Sequence, residues 1–439
     1  MEAHSDTSPP STPSSLEMRD SADASKGQGA TLDGERGVRL LHSWEEARQR
    51  AYDCAQPLPA HAVPLRQGTG RILARDIVAL QDMPHYASSA MDGWAVAGSP
   101  PWILAEPGQR LVSGQASPIV TGALIPPGAK SVLRSESGQI STDDEGLPVL
   151  VLSGQAKPGE PKGGQHIRKA GGEAMAGDLL VQSGTVLNPA QIALAALAGL
   201  DELQVLGQPA VTLVFTGDEV ISSGLPEPGQ VRDTFSPQLD SVVRMLGGSV
   251  VGQQRSGDSL AAMVTALEDS VDDPADVVIT TGATGRSSAD FLRPAIAELG
   301  GTMIVDGVAM RPGHPSLLAE FPDGRFLVGL PGNPLAAFMG LLTLGAPLLA
   351  RLGNRPRPGT LEVACGSPIQ PNPGRTRLVP YRLVYGLASP AKFTDSGMLR
   401  GLASADGVML VPPHGAKMGE ALPAIPLPWK PPSPSAPLG

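Results

Sequence analysis

"AVTLVFTGDEV", Ala210 to Val220, is an apolar run of strand length that stops at Thr216 and Gly217 before two acids, Asp218 and Glu219. A strand apolar on both sides suits a sheet covered by helices on both faces. The text beyond repeats the alternation. "SPQLDSVVRMLGG" (236–248) has helical spacing, "ADVVITTGATG" (275–285) is a second buried strand and "SADFLRPAIAELGG" (288–301) a second helix. "RFLVGLPGNP" (325–334) is a third strand, and "LAAFMGLLTLGAPLLARLG" (335–353) an apolar helix. This pattern predicts an α/β domain with a parallel-rich sheet between helices, whose ligands collect at the strand ends.

At 439 residues the chain exceeds one ordinary core, so several domains are expected. From Met83 to about Gly164 short strands alternate with Gly and Pro turns, as in "PIVTGALIPPGAKSVL", which reads as a small inserted β-rich domain. Residues 360 to about 425 read as a further β domain, and the end, "PLPWKPPSPSAPLG", as a Pro-rich tail. "SWEEARQRAYDCA" has Ser43 as helix cap with Glu45 and Glu46 in the first turn, and "NPAQIALAALAGL" has Asn188 as cap with Pro189 at the first helical position. The fold class is thus α/β plus β in several domains.

Charge and composition exclude several function classes. Lys and Arg number 33 against 43 Asp and Glu, a net charge of -10 that disfavours a nucleic-acid surface. The first 38 residues hold seven acids and three bases in Ser- and Pro-rich text, which predicts a disordered acidic tail. No charged start leads into an apolar run, and Cys54 and Cys365 lie 311 positions apart, so a cytoplasmic protein without a disulfide framework is expected. The longest apolar stretch, Leu335 to Ala350, is 16 residues broken by Gly340, Thr343, Gly345 and Pro347, which suits a buried helix better than a membrane span. The seven histidines lack zinc-site spacing, and neither GxSxG nor a Walker motif occurs.

Four segments carry chemistry. "FTGDEV" sets Asp218 and Glu219 past a buried strand, either as hard oxygen ligands for Mg²⁺ or as a solvated turn pair. "TTGATG" (280–285) suits backbone N–H groups approaching an anion. "LPGNP" places Asn333 and Pro334 at a helix start, either a plain cap or a phosphate seat. In "MPHYASSAMDGWAVAG" (83–98), Asp92 and Gly93 lie at a loop-to-strand junction before the strand Trp94–Ala97, either as a turn or as an exposed carboxylate site.

Together and in order, "SSAMDGWAV", "VTGALIPPGA", "FTGDEV", "TTGATGRSSADF", "RPGHP", "LPGNP" and "SGMLRGLASADGVMLVP" resemble the molybdopterin molybdenumtransferase family, the MoeA and gephyrin E-domain group, over about residues 39 to 425. The resemblance implies a cytoplasmic homodimer, assisted by Mg²⁺, that places molybdate on adenylylated molybdopterin and releases AMP. It implies an elongated dimerisation unit (39–82 with 165–206), the inserted β-rich domain (83–164), a MogA-like α/β domain (207–354) and a C-terminal β-barrel-like domain (357–425), with tails at 1–38 and 426–439. Catalysis falls on Asp92, Glu219 and Asp290, and the metal on Asp218, Glu219 and Asp290. Substrate contacts fall on Ser89, Thr121, Thr281, Gly282, Gly285, Arg311, Pro312, His314, Pro315, Pro331, Gly332, Asn333 and Pro334. Asp92 would face the partner subunit's pocket, and molybdopterin adenylyltransferase and molybdoenzyme apoproteins are the implied protein partners; nucleic acid and membrane are not.

The departures leave two alternatives. Gly282-Ala283-Thr284-Gly285 is closer to the loop of molybdopterin adenylyltransferases, which opens adenylyl transfer from ATP. Gly171-Gly172-Glu173 stands where the family has Gly-Glu-Asp, and Arg311 and His314 replace two lysines, which opens a cofactor-binding scaffold without turnover.

Overall fold

The computed structural model describes residues 41–268, 275–287 and 290–430. The expected acidic tail, 1–38, lies outside them. Six strands pair in the order Ser249–Ser256, Ala210–Thr216, Val277–Thr281, Phe326–Leu330, Leu317–Glu320, Thr302–Asp306. The first four run parallel and the last two pair antiparallel, so the sheet is mixed. The tight turn around Asp323-Gly324 forces the antiparallel pair, because a parallel neighbour needs a long crossover.

Side-chain alternation divides two cores. Val211, Leu213, Phe215, Val277 and Ile279 face one, with the helix Leu239–Met245 and the long helix beginning at Pro334. Val214, Val278 and Leu327 face the other, with the helices Leu260–Glu268 and Leu292–Glu298. The apolar stretch forms a helix, Pro334–Leu352, long and apolar enough to cross a membrane, but 89% of its apolar window is buried inside the molecule. Its middle, Leu341–Gly345, is π-helical. Across it lies the helix Trp44–Asp53, started as expected by Ser43, whose Oγ accepts from the Glu46 N–H at 3.2 Å.

The C-terminal sheet runs Met310–Arg311, Thr376–Val384, Gly407–Val411, Ala421–Pro426, Leu361–Ala364, with Leu387–Pro390 added on Thr376–Val384. A bridge between Cys365 and Ala388, with the Gly366 N–H donating to the Ala388 carbonyl at 2.8 Å, links its far edges. Met310–Arg311 comes from the α/β part of the chain and pairs parallel with Thr376–Arg377, which ties the two units together beside the strand ends. Of the Pro-rich tail expected over 426–439, residues 431–439 lie outside the described residues, and the described part packs on the core. Leu427 is buried and Trp429 sits edge-on to Phe338 at 5.7 Å, because the apolar burial of these side chains outweighs the neighbouring prolines.

A third sheet has the order Ser131–Arg134, Gly93–Ala97, Gln115–Ile119, Trp102–Leu104, Pro148–Leu152, Gly138–Thr142. Asp92-Gly93 is a strand start rather than a turn. Gly93 has φ +150°, and a Cβ there would lie 2.0 Å from the Leu133 carbonyl oxygen. Behind it, the Ser135 N–H donates to the Asp92 carbonyl at 2.9 Å. That corner is held by buried Glu160, which accepts from Arg134 Nε at 3.1 Å, Ser137 Oγ at 3.2 Å and the Lys157 N–H at 3.0 Å.

Arg134 and the Lys157 N–H hold the Glu160 carboxyl down at about 2. A carboxyl depressed in the folded state stabilises the fold above its unfolded value near 4.3, and that stability is lost as pH falls toward 2. Glu160→Gln should therefore cost about 1–3 kcal/mol in urea unfolding at pH 7. The gap to the wild type should close between about pH 4.5 and 2, and a gap independent of pH would show that the Glu160 charge does not hold the corner.

Candidate active site

At the carboxyl ends of the parallel strands lies a cavity of about 720 Å³ whose lining includes Thr216, Gly217, Glu219, Thr281, Gly282, Gly285, Asp290, Pro315, Pro331, Gly332, Asn333 and Pro334. Four further charged residues line it that sequence reading had not singled out: Arg232, Asp233, Arg255 and Asp258. Asp258 follows the strand Ser249–Ser256 and accepts the Asp218 N–H at 3.0 Å. Asp233 is buried, bonded by Arg255, and Arg255 lies 5.9 Å from the Phe215 ring centroid. A strand followed within two residues by an acid is the signal that would have found Asp258. Asp218 itself is not part of the lining.

The Gly-rich loop differs from the expected anion cradle. The Gly282 N–H donates to the Leu330 carbonyl at 2.8 Å and the Gly285 N–H to Asp290 at 2.9 Å, so neither is spare for a ligand. Gly282, at φ +92°, admits no Cβ, which would stand 2.3 Å from Thr216 Oγ1. Ala283 holds a left-handed φ of 53°, a costly conformation for alanine that the surrounding bonds enforce. Arg293 ties the carbonyls of Thr284 and Gly285 at 2.6 and 2.8 Å and bonds Asp306 at 2.7 Å. Asp290 also accepts from the Ser287 N–H at 2.7 Å and Ser287 Oγ at 2.5 Å. Burial alone would raise its carboxyl; the bonds from Ser287 and Gly285 outweigh it and hold the group below its ordinary value.

A second cavity, about 710 Å³, lies between the α/β unit and the C-terminal sheet, with Arg311, Pro312, His314, Asn372, Arg377, Thr394, Asp395 and Ser396 in its walls. Pro315, Pro331 and Asn333 line both cavities, so the two adjoin. Asn333 stands at the cap position of its helix as expected, with Pro334 first in the helix, but its side chain makes no capping bond. Instead the Ala336 N–H donates to the Ser396 carbonyl at 3.1 Å. The C-terminal domain thus takes up a helix N–H expected to be free for phosphate. Desolvation in the cleft, then the charges of Arg375, Arg311, Arg286 and Arg293, hold the His314 imidazole below its ordinary value.

The remaining expected residues lie elsewhere. Asp92 lines a separate, largely apolar cavity of about 610 Å³ with Trp94, Pro118, Val120 and Leu124, and it shares no lining residue with the other two. Its Oδ1 accepts the Thr121 N–H at 2.6 Å, which holds the exposed carboxyl below its ordinary value. Ser89, expected to contact substrate, is fully buried and bonds the Met91 carbonyl at 2.6 Å, so it shapes the loop under Asp92 instead.

Asp218, Glu219 and Asp290 do not converge: among the described residues no group of three His, Cys, Asp or Glu side chains is placed to hold a metal ion. The cavity donors are nonetheless hard oxygens, which fits Mg²⁺ shared between one or two carboxylates and a ligand's phosphates. Asp290→Asn removes the charge that gathers the 285–287 loop. Amide exchange at Gly285 and Ser287 should speed up by the loss of a charge-assisted bond, about 1.5–3 kcal/mol, whereas unchanged exchange would place the loop's restraint in Arg293 alone.

Residues 42–199 match the MoeA N-terminal region (domain I and II), 212–351 a probable molybdopterin binding domain, and 362–427 the MoeA C-terminal region (domain IV). The chain is 32% identical over 381 residues to molybdopterin molybdenumtransferase 2 of Mycobacterium tuberculosis, covering 80% of this chain and 90% of that protein. It is 31% identical over 311 residues to the molybdopterin molybdenumtransferase of a Nostoc species, covering 66% and 69%. A solved molybdopterin biosynthesis MoeA protein from Pyrococcus horikoshii superposes with a TM-score of 0.65 at 26% identity, covering 88% of this chain and 99% of that one. With its motifs in family order and a relative matched over nearly its whole length, this chain belongs to the MoeA family of molybdopterin molybdenumtransferases.

Proposed function

We propose that the protein inserts molybdate into adenylylated molybdopterin and releases AMP, as a step of molybdenum cofactor biosynthesis. The observation that carries this reading is the adjoining pair of cavities, one at the strand ends where four acids outnumber Arg232 and Arg255, and one where Arg311 and Arg377 outnumber the single acid Asp395, which meet at Pro315, Pro331 and Asn333. A ligand that joins a diphosphate to a metal-binding dithiolene needs two chemically unlike compartments. The acidic cavity suits a cation-neutralised diphosphate, and Arg311 and Arg377 suit a dianionic oxyanion through charge-assisted hydrogen bonds.

In this scheme Glu219 and Asp258 would hold Mg²⁺, which supplies charge neutralisation at the diphosphate. Arg255, fixed by Asp233, adds a guanidinium on the same wall. Asn333 presents an amide where the compartments meet, and Pro315 and Pro331 limit the ligand's path between them. In the acidic compartment water attacks the phosphorus of AMP and breaks its bond to the molybdopterin phosphate, and in the basic one the two dithiolene thiols bind molybdenum in place of one molybdate oxygen, which leaves as water with their two protons, molybdenum staying Mo(VI).

Asp92 lies in another cavity of the same chain, so its part in the reaction requires a second subunit. A homodimer acting in the cytoplasm, with Asp92 of one protomer facing the Glu219 cavity of its partner, completes the reading. Both cysteines being free accords with a reducing compartment.

Purified protein with adenylylated molybdopterin, Mg²⁺ and molybdate should release AMP, and absence of release would overturn the proposal. Asp92→Asn and Glu219→Gln should each reduce release by about 100-fold or more while preserving the fold. Mixed dimers of the two variants should regain one intact site in each heterodimer. No recovery after proven subunit exchange would sink the shared site.

A further inference from the structure

We infer that His314 makes the cavity between the α/β unit and the C-terminal sheet a proton-coupled oxyanion site, in which a tetrahedral dianion enters together with one proton. The inference rests on the proposed placement of molybdate in that cavity.

The geometry supplies the coupling. His314 stands on the wall with Arg311 on its own segment and, on the opposite side, Asn372, Arg377, Thr394 and Ser396 from the C-terminal domain. The charges that face it come from every neighbouring element. Arg286 and Arg293 approach from the Gly-rich loop and the helix after it, Arg311 from its own loop and Arg375 from the C-terminal domain. Against them stands Asp395 on the same cavity wall. Arg286 and Arg293 both bond Asp306, at 3.3 and 2.7 Å, so their charge is partly answered there.

Without an anion, this surplus of fixed positive charge disfavours a further proton on the imidazole, and His314 is neutral at physiological pH. A dianion reverses the local field, so the same imidazole gains a proton and donates a charge-assisted hydrogen bond. The arginines stay charged throughout, which leaves His314 as the group that matches the site to its load. The sign follows directly. A group whose pKa rises on binding favours binding at low pH, and affinity falls by up to about tenfold per pH unit between the free and bound values. His314 therefore sets how tightly the cavity holds the oxyanion as the surroundings become alkaline.

Titration calorimetry of the full chain with molybdate alone tests this, run from pH 6 to 8.5 in two buffers of different ionisation enthalpy. The difference in heat between buffers counts the protons taken up. The wild type should take up protons most, approaching one per anion, between the free and bound values of His314, and should bind progressively more weakly as pH rises through that interval. His314→Gln should bind without proton uptake, and His314→Lys should bind without it and with a flat pH profile. Wild-type binding without proton uptake, or equal uptake in His314→Gln, would overturn the inference and leave the proposed function standing. No molybdate binding by the wild type, or binding indifferent to Arg377→Gln, would remove molybdate from this cavity and overturn the inference together with that placement, while the reaction itself stands or falls on AMP release.

Discussion

A buried charge fixes the frame on which both cavities depend. Arg48, 1% exposed, reaches from the first helix to the Leu342 carbonyl at 2.9 Å and to the Pro358 carbonyl, with its guanidinium 4.7 Å from the Trp44 ring centroid. Burial pushes its pKa down to about 10, still charged at neutral pH. Such a charge is tolerable only when its donors are met, and the carbonyls that meet them belong to the π-helical turn and the linker to the C-terminal domain. Trp44 adds a bond from Nε1 to Thr343 Oγ1 at 3.1 Å, and Thr343 bonds the Met339 carbonyl at 2.6 Å. One side chain thus locks the first helix, the long apolar helix and the entry to the last domain. Their apolar residues form one continuous cluster from Trp44 through Leu213, Val328 and Leu348 to Leu410 and Ile425. The cleft between the α/β unit and the C-terminal sheet is therefore a gap between parts of one core.

That rigidity lets the loops spend their polar groups on one another. Gly282 and Gly285 donate within the fold, Arg293 ties two loop carbonyls, and Asp290 gathers three donors. What the cavities present is then side-chain charge, including Glu219 and Asp258 in one and Arg311 and Arg377 in the other. Charge placed on fixed backbone needs little reorganisation when a ligand arrives, the condition under which electrostatics contributes most to a reaction.

Local chemistry made much of this legible. The caps at Ser43 and Asn188 formed as their sequences predict, the second as a full capping box with Gln191. The buried strands stopped where Gly217, Gly282 and Pro331 follow them. Illegible were the features that need distant segments. Nothing beside Arg48 in sequence announces carbonyl partners almost 300 positions away, at Leu342 and beyond. Asp233, just past the strand Val231–Arg232, and Arg255, 22 positions on in the strand Ser249–Ser256, pair although the two strands belong to different sheets. Ser89 shows the complementary limit: a motif fixes which residues recur together, while the burial of each is set by the fold.

Asn333 shows how the two kinds of information combine. Its neighbours Gly332 and Pro334 mark a helix start, and a helix start with unfilled N–H groups attracts anions. The fold disposes of that attraction by other means. Pro334 has no N–H to offer, and the Ala336 N–H goes to Ser396 of the docked C-terminal domain. The Asn333 amide, relieved of capping, stands where the two cavities meet. The basic side chains of the cleft, Arg311, His314 and Arg377, come instead from both of its sides. Because this cavity is walled by both units, the contact that fills the helix end is also a contact that builds the cavity.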